Sequence, residues 1–265
     1  MIVREALEAA TTAIEAAGCR TPRLDAELLV ADGLDVRREA LVLDPDMEVP
    51  PPAARVIASH VRRRVAREPV AYILGHKGFR GIELNVDRRT LIPRPETELL
   101  VDVALDLPAG AHVHDVGTGC GSIALALLDE RPDLRVTASE PYPEAARAAR
   151  ENAERLGLPL EVSPEPGLPD GDYDLVLANL PYIRDDEWVG LQPEITRYEP
   201  REAFVGGEDG LDAIRELVAA APAGTRVALE HAPAQVAEVR GMLDDAETFP
   251  DLANWDRLTV GRIPA

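Results

Sequence analysis

The sequence predicts an α/β protein: a doubly wound, mostly parallel sheet preceded by a small helical bundle, with a β-hairpin between the two. Three observations carry this expectation. From Ala111 onward, apolar runs of strand length alternate with amphipathic runs of helix length, the order that builds a parallel sheet with crossover helices. The part of the chain before it opens with about 70 residues whose apolar spacing is that of helices alone. Between them, Gly75, Gly78 and Gly81 punctuate the alternating apolar residues Phe79, Ile82, Leu84 and Val86.

Each element has its own signal. Val3 to Ala17 has helical apolar spacing and stops at Gly18, and Thr21-Pro22 opens a second helix that ends at Gly33-Leu34. Short helices are expected near Arg37–Leu43 and Pro52–Arg67, separated by the turn-rich DPDMEVPPP. After the hairpin a helix runs from Pro95 to Leu105. Strands are then expected at 112–117, 135–140, 172–179, 225–231 and 256–263, and helices at 121–132, 143–157, 210–222 and 232–245. The division this implies is a helical domain over 1–74, a hairpin connector over 75–92 and an α/β domain over 93–265.

Composition narrows the function. The 265 residues are 46% hydrophobic, enough for a sizeable core, and no apolar run approaches the ~20 residues of a membrane span. MIVREALEAATTAIEAAG is an amphipathic helix with early acids and not a secretory signal, so a soluble cytoplasmic protein is expected. A formal charge of −20, from 48 acidic against 28 basic residues, argues against a partner gripped through its phosphates. The run HVRRRVAR (60–67) is the one local basic patch, expected to be the solvated face of a helix. Lys77 is the only lysine, which reads as a composition bias. Cys19 and Cys120 lie in unrelated contexts and suggest neither a disulfide nor a metal site. His112 and His114 share a strand face, but two ligands without an acidic or Cys companion make a poor metal site.

Three features fall at strand ends, where open α/β sheets bind ligands. In DVGTGCGS, Asp115 to Ser122, the glycines 117, 119 and 121 allow a tight turn and close approach of a ligand to the backbone. The spacing is G-x-G-x-G with an acid two residues ahead, where dinucleotide binders show G-x-G-x-x-G. That suits S-adenosylmethionine, which has no pyrophosphate; a strand–helix turn without a ligand would read the same. Glu140 ends the next strand, 19 residues after Gly121, where an acid can accept hydrogen bonds from ribose hydroxyls. The third feature is Asn179-Leu180-Pro181-Tyr182. Pro181 restricts residue 180 to extended backbone, which turns the Leu180 carbonyl outward beside the Asn179 side-chain oxygen. Two such acceptors suit an –NH2 group, with Tyr182 flat against the plane that bears it. On these four residues alone, an ordinary strand-to-loop turn is equally compatible.

The chemistry of such a pair is amino-group methylation. An amide or aryl amine is a poor nucleophile because its lone pair is delocalised. Pointing both N–H bonds at acceptors orients the nitrogen and frees the lone pair as it pyramidalises. Methyl transfer is an in-line displacement in which positioning does most of the work, and the same acceptors stabilise the positive charge that grows on nitrogen.

Four segments in order, LIPRPETELLV (91–101), HDVGTGCGSIALAL, DLVLANLPYI and YEPREAFVGGEDGLDAIREL (198–217), resemble the peptide chain release factor N5-glutamine methyltransferases, the HemK/PrmC family. The resemblance covers nearly the whole chain, and IPRPETE is its most specific part. It implies a seven-stranded, Rossmann-like methyltransferase domain that uses S-adenosylmethionine, no metal, and the glutamine of the release factor Gly-Gly-Gln loop as substrate. By position it implies that Gly117, Thr118, Gly119, Cys120 and Gly121, with Asp115, form the cofactor loop, and that Glu140 binds ribose. Asn179, Leu180, Pro181 and Tyr182 would hold the glutamine amide, with Asn179 also near the cofactor. PRPETE would cover the cofactor through Glu96 and Thr97, although acids there also suit a first helical turn. The helical domain would help bind the release factor.

The sequence departs from the family pattern at four places. Leu180 stands where proline is usual, which keeps the main-chain acceptor and loses rigidity. Glu140 replaces Asp. LEHAP (229–233) replaces a Glu-Ile-Gly pattern without evident reason, and the proline-rich VSPEPGLPDG leaves the adenine contacts unassigned. Two other functions remain open on sequence alone: an adenine N6-methyltransferase acting on DNA or RNA, which the −20 charge disfavours, and a cofactor-binding protein without catalysis. A nicotinamide dehydrogenase fits least, because the glycine spacing differs.

Overall fold

The computed structural model describes residues 1–265. In chain order its elements are α1 (Val3–Ala16), α2 (Pro22–Leu34), α3 (Arg38–Leu43), α4 (Pro51–Val65), α5 (Val70–Leu74), β1 (His76–Phe79), β2 (Ile82–Asn85), α6 (Glu98–Leu105), β3 (His112–Val116), α7 (Ser122–Glu130), β4 (Arg135–Ser139) and α8 (Pro143–Leu156). There follow β5 (Glu161–Ser163), β6 (Leu175–Ala178), α9 (Pro193–Tyr198), α10 (Asp212–Ala220), β7 (Arg226–Glu230), α11 (Val236–Gly241), β8 (Asp244–Pro250) and β9 (Asp256–Arg262). No helix is long and apolar enough to cross a membrane. The chain forms two compact units: Met1–Gly75 with Gln192–Tyr198, and His76–Leu191 with Glu199–Ala265.

The first unit is helical. Leu7, Ile14, Leu29, Val30, Leu41, Ile57 and Ile73 form its core, each fully buried aliphatic side chain contributing about 1.5–3 kcal/mol. Pro22 supplies the first turn of α2, and Asp35 caps its end in the left-handed region at φ 55°. The basic run at 60–67 is not the solvated face expected of it. Arg64 is only 5% exposed; its Nε donates to Asp25 at 2.7 Å and its Nη2 to Glu194 at 2.8 Å. Arg67 grips the same Glu194 through Nε at 2.8 Å and Nη2 at 2.6 Å. The Tyr198 hydroxyl donates to the Ala66 carbonyl at 2.9 Å. These bonds explain why α9, which the sequence places in the α/β domain, belongs to the helical unit.

The second unit carries a seven-stranded sheet of order β5-β4-β3-β6-β7-β9-β8. β3 to β7 are parallel; β9 runs antiparallel to both β7 and β8. β3 and β6 are buried almost throughout, as strands covered on both faces must be. α7 packs on β3 and β4, α6 on β6 and β7, and α11 on β8 and β9. The β1–β2 hairpin is tied into this unit by Asn152 on α8, whose amide accepts from Asn85 N at 2.8 Å and donates to Asn85 O at 3.0 Å. The same Nδ2 donates to the Cys120 carbonyl at 3.0 Å, so one side chain joins hairpin, helix and glycine loop.

Two expectations need correction here. The helix expected over 232–245 stops at Gly241, and the last residues of that run begin β8, a strand with no signal of its own in the sequence. β5, a strand of three residues, was also not foreseen.

Replacing Arg64 by methionine leaves the Asp25 carboxylate, 5% exposed, without its cation and removes one of the three bonds to Glu194. We expect a loss of about 3–5 kcal/mol in urea unfolding followed by helical circular dichroism. Arg4→Ala, which removes an exposed pair with Asp46, should change stability by less than about 1 kcal/mol in the same measurement.

Candidate active site

Strand order reverses beside β3: the chain moves out through β4 and β5 and returns to β6 on the other side. The carboxyl ends of β3, β4 and β6 therefore open onto one crevice, the place where such sheets bind ligands. A cavity of about 630 Å³ lies there, within the size range of small-molecule sites. Of the sequence-derived site residues, Gly117, Thr118, Gly119, Cys120, Glu140, Thr97, Asn179, Leu180 and Pro181 line it. Asp115, Gly121, Glu96 and Tyr182 do not.

The glycine loop is shaped from within. Gly117 N and Thr118 N donate to the Ser139 carbonyl at 2.9 and 3.1 Å, and Gly119 N donates to Glu140 Oε2 at 3.0 Å. Gly119 has φ +58° with no atom within 4 Å of where a Cβ would stand, so the backbone there faces open space. Asp115 is wholly buried beneath the loop and accepts from Thr118 Oγ1 at 2.6 Å and Ala124 N at 3.3 Å. Burial pushes its carboxyl up to about 7. Burial also pushes the Cys120 thiol up to about 12, which removes it as a nucleophile. Glu140 is nearly buried, and its other oxygen accepts from Tyr142 N at 2.9 Å. Each oxygen keeps a second lone pair, and burial raises its pKa against the pull of those two amides.

Charge in the cavity discriminates between ligands. Its ionisable groups include the carboxylates of Glu140, Glu202 and Glu216 and one guanidinium, Arg89. Arg89 is already paired with Asp87 and Glu151, at 2.8 and 2.7 Å. A pyrophosphate would meet net negative charge here, whereas a nucleoside that carries sulfonium and ammonium groups meets complementary charge. The donor set fits S-adenosylmethionine and does not fit a dinucleotide.

At the end of β6 the polar groups are unevenly used. Asn179 Nδ2 donates to Thr97 Oγ1 at 3.0 Å. The Tyr182 carbonyl accepts from Gln235 Nε2 at 3.0 Å, Ile183 N donates to Phe204 O at 2.8 Å, and Gly206 N donates to Ile183 O at 2.9 Å. Against that background, neither Asn179 Oδ1 nor the Leu180 carbonyl accepts a hydrogen bond from the protein. The Leu180 side chain leans on the glycine loop: a Cβ at Gly117 would stand 3.2 Å from its Cδ2. The leucine that replaces proline is thus held by packing.

Two contributions lay outside the sequence-derived site. The first is the Gly206–Gly210 turn. A Cβ at Gly206 would stand 2.2 Å from the Pro181 carbonyl oxygen, and one at Gly210, where φ is +78°, would stand 2.2 Å from that of Tyr182. VGGEDG was visible as a glycine cluster, but nothing local says which backbone it cradles. The second is Glu230, the end of β7, one residue past the Ala178–Leu229 pair. Its Oε1 accepts from the Tyr182 hydroxyl at 3.2 Å. It is the acid of the LEHAP segment.

Gly210→Ala should force the Tyr182 carbonyl to move. Left-handed strain and overpacking together imply a loss of about 2–4 kcal/mol, read by thermal unfolding.

Comparison with known proteins identifies the family. The family described as the PrmC N-terminal domain matches residues 5–75, and the methyltransferase small domain family matches residues 95–194. The release factor glutamine methyltransferase of Cereibacter sphaeroides is 40% identical, with the match covering 100% of both chains. That of Vibrio cholerae is 38% identical over 98% of this chain and 96% of its own. That of Mycolicibacterium smegmatis is 42% identical over 86% of this chain and 84% of its own. Among solved structures, the hMettl16 catalytic domain superposes with a TM-score of 0.51 at 16% identity, covering 81% of this chain and 82% of that one, a likeness of fold alone. With relatives this similar over its full length, the chain belongs to the release factor glutamine methyltransferase family.

Proposed function

We propose that the protein transfers a methyl group from S-adenosylmethionine to the side-chain amide nitrogen of the glutamine in the Gly-Gly-Gln motif of peptide chain release factors. The observation that carries this is the pair of unengaged acceptors, Asn179 Oδ1 and the Leu180 carbonyl, at the rim of a cavity whose charge suits a sulfonium nucleoside.

The cofactor supplies an electrophilic methyl group on sulfonium; the remaining work falls to the chain. Glu140 offers its spare lone pairs to ribose hydroxyls, and the open backbone at Gly119 allows close approach. The two acceptors take both N–H bonds of the glutamine amide, and Tyr182 packs against its plane. Held so, the nitrogen presents its lone pair along the displacement axis, and the acceptors gain strength as positive charge develops. The proton becomes acidic only after the new N–C bond forms, so no base is needed beforehand. The helical unit, matched by the PrmC N-terminal domain family, is assigned to recognition of the release factor. Such a substrate places the protein in the cytoplasm.

Incubating the protein with S-adenosylmethionine, a release factor and duplex DNA, then analysing both by mass spectrometry, tests the assignment. We expect one methyl group on the Gly-Gly-Gln glutamine and none on DNA; methylated DNA with an unmodified release factor contradicts it. Asn179→Ala should abolish methylation while calorimetric cofactor affinity stays within roughly tenfold, about 1.4 kcal/mol.

A further inference from the structure

We propose that Ser139 is a positioning residue for the cofactor: it ties together two segments that line the cavity, the glycine loop and residues 166–168, and His114 fixes the direction in which its hydroxyl works. This rests on the reading of the cavity as the S-adenosylmethionine site.

Ser139 ends β4, is wholly buried and does not itself line the cavity. Its carbonyl accepts from Gly117 N at 2.9 Å and Thr118 N at 3.1 Å, and both of those residues do line it. Its hydroxyl donates to the Gly167 carbonyl at 2.6 Å, and Pro166, Gly167 and Leu168 line the cavity too. One residue thus reaches from the glycine loop to the segment after β5. Residues 164–173 form no strand or helix, so side chains must hold that segment. Tyr173 adds a second tie to it, its hydroxyl donating to the Pro169 carbonyl at 3.0 Å.

The direction of these bonds follows from counting protons. A carbonyl only accepts, so the single proton of the Ser139 hydroxyl is committed to Gly167. His114 Nε2, 3.1 Å from Ser139 Oγ, must then be the donor of that contact. Burial keeps this imidazole neutral, with its pKa pushed down to about 4 by desolvation and, to a smaller extent, by His112. A neutral ring has one N–H, so Nδ1 accepts from the Thr137 hydroxyl at 2.8 Å. His112 Nε2 lies 3.0 Å from the same hydroxyl, but a Thr137 proton turned there would require His114 to carry two. Tyr173 packs its ring against His114, 5.0 Å between centroids. Net hydrogen bonds contribute little to stability, whereas fully satisfied buried networks specify geometry. What this one specifies is the position of the Gly167 carbonyl. A wall held in place before the cofactor arrives need not be ordered by it, which strengthens binding without a new contact.

The test uses the full chain. By calorimetry, S-adenosylmethionine should bind Ser139→Ala about tenfold more weakly than wild type. At saturating cofactor, kcat and the KM for release factor should change less than about threefold, a split that general destabilisation would not produce. His114→Gln keeps an N–H near the place of Nε2 and should bind cofactor within about threefold of wild type; His114→Leu, which lacks it, should match Ser139→Ala. Nuclear magnetic resonance adds two readouts that need no ligand. Ring-nitrogen shifts should show His114 protonated at Nε2 alone, and backbone order parameters at Gly167 and Leu168 should fall in Ser139→Ala. Wild-type affinity in Ser139→Ala, even with lowered thermal stability, overturns the proposal. So does His114 protonated at Nδ1, or His114→Gln binding as weakly as His114→Leu. Should Ser139→Ala not fold, the His114 pair decides by the same affinities. If wild type binds no S-adenosylmethionine, the reading of the cavity fails, and the order parameters decide whether Ser139 holds Gly167 and Leu168.

Discussion

The candidate site depends on one imbalance of hydrogen bonding. A parallel strand buried on both faces uses its backbone groups in the sheet, and the first peptides beyond its carboxyl end must find other partners. After β6 several polar groups do: the Asn179 side-chain Nδ2 finds Thr97, the Tyr182 carbonyl finds Gln235, and Ile183 finds Phe204 and Gly206. Pro181 has no N–H to satisfy. Two oxygens that line the cavity, Asn179 Oδ1 from a side chain and the Leu180 carbonyl from the main chain, accept nothing from the protein. They need no charge to select an amide, because an amide nitrogen with two N–H bonds complements two acceptors and an alcohol or thiol does not.

Holding those oxygens in place costs stability elsewhere. Gly206 and Gly210 give up side chains so that the Pro181 and Tyr182 carbonyls can sit within 2.2 Å of where a Cβ would be. Asp115 and Glu230 are buried with one oxygen each unpartnered, and both are pushed up to about 7. The two acids lie at the ends of β3 and β7, on either side of β6, and their cost falls where the functional residues are anchored. The β1–β2 hairpin and α8 add no such burden, since Asn152 satisfies Asn85 and Cys120 with a single amide.

Much of this was legible in the sequence because it is local. Alternating strands and helices, the Asp115–Ser122 turn, the acid at 140 and the Asn179–Tyr182 run are each contained within a few residues, and their place at parallel strand ends brings them together. The parts that escaped depend on partners far along the chain. Arg64 looks like one charge in a basic run, and only Glu194, 130 residues away, makes it a buried anchor. β5 is too short for a period to show. β8, DDAETFP, is an edge strand with exposed acids, so it lacks the apolar alternation that marks inner strands. Glu230 reads as the end of a strand, and its value lies in Tyr182, 48 residues earlier.

The most direct test of the account is a crystal structure with S-adenosylhomocysteine and a glutamine-containing Gly-Gly-Gln peptide. The glutamine side-chain nitrogen should lie within hydrogen-bond distance of both Asn179 Oδ1 and the Leu180 carbonyl. A glutamine bound away from that pair, or a Leu180 carbonyl turned inward onto a donor of the protein itself, would contradict it.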